Sequence, residues 1–162
     1  MKLTIELVPK TSWYDNVRSH VSKERWDELR FECYRKAGHK CEICGAVGKD
    51  QGYEHPVECH EIWEYDDKKK IQLLAGLIAL CPRCHKVKHI GLAKINKEYT
   101  MCVYHLRQVN GWNFKKTEKY INKAFEKWEE RSEHDWTVDL TYLTQYQDQL
   151  GELLQKLNKF RK

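Results

Sequence analysis

The chain has 162 residues, and its 29 Lys and Arg against 24 Asp and Glu give a formal net charge of +5. This length suits one medium-sized domain with its own core. The charge is too mild to establish nucleic-acid binding by itself. Seven Cys without an N-terminal apolar signal segment favour a reducing, cytoplasmic setting over a disulfide framework. The longest apolar run, 73–81, is too short to span a bilayer, so we expect no membrane partner.

The first 40 residues are predicted to form a strand and a helix. Leu3, Ile5 and Leu7 alternate with Thr4, Glu6 and Val8 until Pro9, which predicts a short strand with one mostly buried face. Ser22 is a suitable N-cap, and Gly38 supplies a stop. Between them, apolar side chains recur at helical spacing: Trp26, Leu29, Cys33, Tyr34 and Ala37.

Two Cys-x-x-Cys pairs dominate the middle of the chain. They supply four thiolates, the number that a closed tetrahedral zinc site requires. A two-residue spacer lets both sulfurs of a pair face one ion. The sequence therefore predicts a structural Zn²⁺ held by Cys41, Cys44, Cys81 and Cys84.

Three histidines near these pairs predict a second metal site. If a helix opens at Cys84, His85 and His89 lie one turn apart on the same face. His60, on a strand predicted over 57–63, can supply a third imidazole. Three imidazoles with one open position are typical of hydrolytic metals rather than structural ones. The strand alternation places Glu61 on the face opposite His60.

The segments 41–44, 58–62 and 77–85, together with His89, resemble the zinc-knuckle branch of the HNH endonucleases. The resemblance covers about a third of the chain and implies a ββα-metal unit with a treble-clef-like zinc site. It implies hydrolysis of nucleic-acid phosphodiesters with a second divalent metal, Mg²⁺, Mn²⁺, Ni²⁺ or Zn²⁺. By this resemblance, His60 matches the first, metal-binding His of the family's pair, and His85 and His89 match the helix ligands.

Two positions depart from the family pattern. Glu61 occupies the place of the His that activates water, and Gly76 stands where the family usually has an Asn. The catalytic residues are then predicted to be Glu61, His60 and His85, with His55 as an alternative base, because a carboxylate beside a divalent cation can accept a proton from water. The same departures motivate the alternative of a non-catalytic zinc module that binds nucleic acid or a protein.

Basic residues surround the predicted metal helix. Arg83, Lys86 and Lys88 lie where a scissile phosphate would sit, so they are predicted to contact nucleic acid, with DNA favoured. The alternative is an ordinary solvated helix face. Gly91 is expected to end this helix.

The remaining chain is helical in pattern, with amphipathic helices predicted over 94–109 and 117–131. His105 and His134 are predicted to be surface or packing residues. A heptad-like stripe runs from Leu143 to Phe160 and predicts either packing on the protein itself or pairing with a partner helix or a second copy.

The predicted fold class is α+β in one compact domain: a strand and helix over 1–40, the HNH-like zinc core over 41–92 and a helical region over 93–162. The predicted function is a metal-dependent endonuclease. A third hypothesis is an effector subunit that is active only when assembled through the C-terminal stripe.

Overall fold

A computed structural model describes residues 2–146 and confirms the α+β class. In the described residues, two α-helices come first, two strands follow, four α-helices come next and a short third strand comes last. The α-helices are Val17–His20 (α1), Lys23–Lys36 (α2), Pro82–Lys88 (α3), Ile90–Ile95 (α4), Tyr99–Asn110 (α5) and Phe114–Ser132 (α6). The strands are Glu58–Asp66 (β1), Ile71–Leu80 (β2) and Thr137–Asp139 (β3).

The sheet has the order β1-β2-β3, with β1 antiparallel and β3 parallel to β2. The β1–β2 register shifts between Ile62 and Trp63, so that Ala75 is an extra residue on β2. A bulge of one residue turns the following side chains to the other face. Leu74 therefore joins Trp63 on one face of the sheet, while Ile78 lies on the opposite face.

Each face of the sheet carries its own apolar cluster. On one face, Cys59, Trp63 and Leu74 pack with Trp26 and Leu29 of α2. On the other, β2 side chains pack with α3, α4, α5 and α6, and the Cys pairs belong to this cluster. The predicted helix α2 is confirmed, with Ser22 as its N-cap. The metal-ligand candidates thus lie between the sheet and the C-terminal helices.

The predicted N-terminal strand is wrong, although its buried face is correctly predicted. Residues 2–9 form no strand, yet Leu3 and Ile5 are buried. The backbone of Leu3 donates to Asn110 Oδ1 at 2.9 Å and accepts from Asn110 Nδ2 at 2.8 Å. Ile5 N donates to the Tyr120 hydroxyl at 3.0 Å. Side chains of the C-terminal helices replace the neighbouring strand that the alternation pattern implies.

The helix ends after the second Cys pair also differ from the prediction. Gly91 lies inside α4 rather than ending the metal helix, which stops at Lys88 with His89 at the junction. The helix predicted over 94–109 is divided by Lys97, whose φ of 62° is left-handed. Only its C-terminal stop, Gly111 with φ 64°, is as predicted. Helix α6 begins earlier than the predicted 117, after Asn113 caps its first turn.

The predicted C-terminal stripe lies mostly outside the described residues. Leu143 and Tyr146 pack on the cluster around α2, whereas 147–162 fall beyond the described part of the chain. The partner-helix hypothesis therefore stays a prediction. Within residues 2–146, no helix combines the length and apolarity needed to cross a membrane.

The turn that leads into β1 generates a stability prediction. Gly48 N donates to Pro56 O at 2.6 Å, and a Cβ on Gly48 would overlap the carbonyl oxygen of His55. We expect Gly48→Ala to lower the free energy of unfolding by about 2 kcal/mol, because the two loop segments must separate. Urea denaturation of the zinc-loaded protein measures this.

The matched control is Gly76→Ala. A Cβ there would meet its nearest neighbour, Ile62 Cδ1, at 3.6 Å, an ordinary contact distance. Equal stability losses in the two variants would contradict the overlap argument.

Candidate metal centres and groove

The four predicted zinc cysteines converge. Their sulfurs all lie within 4.8 Å of one another, and Cys44 Sγ is 3.6 Å from both Cys81 Sγ and Cys84 Sγ. Four sulfurs around one zinc at about 2.3 Å are separated by about 3.8 Å, the edge of the tetrahedron. The group can therefore hold a metal ion and is consistent with a structural zinc.

Local backbone geometry presents the two pairs. Gly45, with φ 76°, lets the chain turn so that its N–H donates to Cys41 O at 2.8 Å. Cys81 is the N-cap of α3 and is followed by Pro82, which suits the first helical position. Cys84 lies in the first turn of α3. A loop and a helix start thus bring the pairs together.

The pKa values of the four thiols are shifted in opposite directions. A hydrogen bond from Cys44 lowers the pKa of Cys41 to about 6, while hydrogen bonds with the other three cysteines raise the pKa of Cys84. Four adjacent thiolates repel each other, so full ionisation requires a cation between them.

His105 is a neighbour of this site that the sequence did not reveal. His105 belongs to helix α5, and its Nε2 lies 3.2 Å from Cys84 Sγ. A ring N–H that donates to a thiolate stabilises the negative charge on sulfur. The prediction of a packing or surface role thus omitted this contact. The sequence holds no Cys or His spacing that would indicate it.

The three predicted histidine ligands also converge. Ring centroids are 5.4 Å apart for His60 and His85, 4.9 Å for His60 and His89, and 4.8 Å for His85 and His89. One ring nitrogen of each lies within 4.8 Å of the others, which allows a single metal ion to contact all three. His60 comes from β1, His85 from α3, and His89 from the α3–α4 junction.

Two carboxylates hold two of these three rings. Glu6 Oε2 is 2.9 Å from His60 Nε2, and Glu58 pairs with His85 Nδ1. Each bond occupies one ring nitrogen and leaves the other for a metal, the arrangement of a carboxylate–histidine–metal triad. Neither glutamate is among the site residues predicted from the sequence. Glu58 is two positions from His60 on the same strand face, which is a usable signal, whereas Glu6 is 54 residues away.

Burial keeps two of the rings neutral. Burial lowers the pKa of His60 in spite of the bond from Glu6, and burial beside His85 and His60 lowers the pKa of His89 to about 3. Burial alone would raise the pKa of Glu6, but His60 and Lys88 together lower it. The arrangement is therefore neutral imidazoles beside an ionised carboxylate, which is the state that metal ligation requires.

Neither candidate base directly contacts a histidine ligand. The Glu61 carboxylate accepts from Val17 N at 3.0 Å, on the strand face opposite His60, as the alternation predicts. Burial raises the pKa of Glu61. His55 Nε2 lies 2.7 Å from Glu58 Oε1, so His55 reaches His85 only through Glu58.

The three predicted nucleic-acid contacts have different surroundings. Arg83 is exposed, and Lys86 pairs with Glu98. Lys88 is only 4% exposed and pairs with Glu6. Its predicted contact with nucleic acid does not fit this position, because moving away from Glu6 would leave a partly buried carboxylate without its ion-pair partner.

The histidine cluster opens into a groove of about 320 Å³ that runs beside β1. Glu6, His60, Glu61, His85 and His89 line it. Further residues, mostly aromatic or polar, line this metal groove, among them Trp13, Tyr14, Asp15, Arg18, Trp26, Trp63 and Tyr65. A ligand in the groove would therefore touch both the imidazoles and flat aromatic faces.

Metal content tests the two centres separately. We expect the purified protein to bind two zinc ions per chain, one for each cluster. His60→Ala should bind one, because it removes an imidazole that the other two require, and His134→Ala should still bind two. Elemental analysis after exhaustive dialysis measures this. A content of one zinc in the wild-type protein would contradict a second centre.

The Cys84–His105 contact generates a further prediction. We expect His105→Ala to lose zinc to a chelator about tenfold faster than the wild-type protein, since the thiolate loses a hydrogen-bond donor. Cobalt substitution should also shift the thiolate-to-metal absorption band. His105→Gln, which retains an N–H donor, should restore part of the effect. Identical spectra for all three proteins would contradict the assignment.

Comparisons with protein-family models, with curated proteins and with solved structures found no match to this chain.

Proposed function

We propose that this protein is a metal-dependent endonuclease of HNH type that hydrolyses phosphodiester bonds, with DNA as the favoured substrate. The observation that carries the proposal is the convergence of His60, His85 and His89 at the floor of a groove. One ring nitrogen of each histidine lies within 4.8 Å of those of the other two. This is possible only because the fold packs β1, which carries His60, against α3, which carries His85.

The two clusters have different chemistry, and this difference favours a catalytic role for the second. Four thiolates close a tetrahedral site, and three of the four cysteines are buried, with Cys44 half-buried. Three imidazoles leave a position for water or substrate, and this cluster lines the open metal groove. A divalent cation held there would stabilise the charge that develops on a phosphate and acidify a water.

Glu6 and Glu58 act as positioning residues in this proposal. Each accepts a ring N–H and so favours the tautomer whose other ring nitrogen is free to bind a metal. Lys88 holds Glu6 in turn, and Thr4 Oγ1 accepts from Lys88 Nζ at 2.8 Å. This chain of contacts secures the N-terminal segment to the metal helix.

Glu6 is also the best-placed proton acceptor. Like Glu61 it lines the metal groove, it is ionised, and its three hydrogen bonds, from Thr4, His60 and Lys88, leave one acceptor position of the carboxylate free. Glu61, the base that the resemblance implies, is bound to Val17 N on the other strand face. We therefore assign proton transfer to Glu6 rather than to Glu61.

Cationic side chains offer places for the phosphate backbone. Arg18 lines the groove, with its guanidinium carbon 4.8 Å from the Trp26 ring centroid, and Arg83 is exposed on α3. A guanidinium binds phosphate oxygens in pairs, which positions a strand without reading its sequence.

The alternative is a zinc module that binds nucleic acid without cleaving it. One observation favours it: the carboxylate at the family's base position is turned to the opposite strand face. This alternative predicts tight metal binding and salt-sensitive nucleic-acid binding without turnover.

Plasmid nicking separates the two functions. We expect Mg²⁺, Mn²⁺, Ni²⁺ or Zn²⁺ to support nicking by the wild-type protein, and His85→Ala to reduce the rate at least about 100-fold. His134→Ala, which changes an exposed histidine away from both clusters, is the matched control. Absence of cleavage with every metal, on plasmid, single-stranded DNA and RNA alike, would favour the non-catalytic module.

The proton acceptor is tested by two isosteric changes. We expect Glu6→Gln to lower the cleavage rate about 100-fold and Glu61→Gln to change it less than about threefold. Metal content must be measured in parallel, since a lost ion would indicate that Glu6 only positions His60. The reverse order of the two effects would restore Glu61 as the base.

A further inference from the structure

A second pocket adjoins the metal groove. It has a volume of about 380 Å³ and lies between the N-terminal segment, α4 and α6. Its walls are mainly apolar and aromatic, and His89 lines both this pocket and the metal groove. We call it the aromatic pocket; Leu7, Trp13, Leu92, Phe125 and Trp128 contribute to its lining.

Several apolar side chains at this pocket remain exposed to solvent. Trp13 is 45% exposed and Tyr14 is 85% exposed, on the loop shared by the pocket and the groove. Leu92 and Ile95 of α4 are exposed on the opposite wall. Aromatic side chains left at the mouth of a pocket offer stacking surfaces to a flat ligand.

Cations accompany these rings. Lys10 Nζ lies 4.7 Å from the Trp128 ring centroid, and Lys94 Nζ lies 5.8 Å from the Phe125 centroid. Arg18 lines the connected groove. The combination of flat aromatic faces with flanking positive charge complements a base attached to an anionic backbone. It is less suited to a wholly apolar peptide, which offers no partner for the lysines.

We propose that the aromatic pocket receives an unpaired base of the nucleic acid whose phosphodiester lies at the histidine cluster. This inference rests on the proposed function, since it identifies the substrate as single-stranded or locally unpaired. A base inside a duplex stacks on its neighbours and reaches Trp13 only by leaving the helix. Stacking on aromatic residues carries little sequence preference, so the pocket selects strandedness rather than sequence.

The test is equilibrium binding of a labelled single-stranded DNA oligonucleotide and of its blunt duplex, by fluorescence anisotropy. The full-length, zinc-loaded protein is used without added divalent cation, and gel electrophoresis of the recovered oligonucleotides verifies that they remain uncleaved during the measurement. We expect the single strand to bind about tenfold tighter than the duplex, as one stacked base would provide. Trp13→Leu should remove this preference by weakening single-strand binding about tenfold and duplex binding much less, whereas Trp13→Phe, which keeps a ring face, should retain it.

Phe31→Leu is the matched control, because Phe31 is 55% exposed on α2, outside both cavities. Equal single-strand affinity in the wild-type protein and in Trp13→Leu would overturn the proposal, as would an equal loss on both nucleic acids. A Trp13-dependent change in sedimentation with unchanged DNA affinity would assign the pocket to a second copy of the chain and also overturn it.

The nuclease and the base pocket can fail separately. Strand-selective binding that depends on Trp13, without cleavage by any metal, would support the pocket and contradict the nuclease. Cleavage that depends on His85 but is indifferent to Trp13→Leu on single-stranded substrate would support the nuclease and overturn the pocket.

Discussion

The structure depends on one short helix that carries ligands to both metal clusters. Helix α3 has seven residues, and Cys81 and Cys84 at its start face the thiol cluster while His85 faces the imidazole cluster. A helix of this length is unstable alone in water. Ions at either cluster would hold it against its neighbours, so metal binding and the local fold are coupled. A shift of α3 would disturb both centres together.

The N-terminal segment is the second structural constraint. It forms no strand, yet it buries Leu3 and Ile5 and brings Glu6 to His60. Its backbone is held by Asn110 and by the Tyr120 hydroxyl, and Glu6 N donates to Lys88 O at 3.0 Å. Helices α5 and α6 therefore hold the N-terminal segment in place, and the segment in turn positions Glu6 at the candidate site. Their role extends beyond covering the apolar cluster.

The two cavities give the site its chemical character. One contains the imidazoles and their carboxylate, and the other is aromatic with lysines nearby. They share Glu6, Val8, Trp13, Tyr14 and His89, so a ligand that spans both would lie along the N-terminal loop. The candidate metal ligands and the mainly apolar surface thus lie in adjacent cavities.

The sequence by itself indicated both candidate metal clusters, because Cys-x-x-Cys spacing and two histidines one turn apart express local geometry. It also determined α2, from its cap to its end, and the strand face that separates His60 from Glu61. Only the tertiary structure revealed Glu6, His105 and the burial of Lys88, since each depends on partners 21 to 82 residues away. Local periodicity carries no information about which distant side chain completes a hydrogen bond. That pairing is decided when helices and loops pack together.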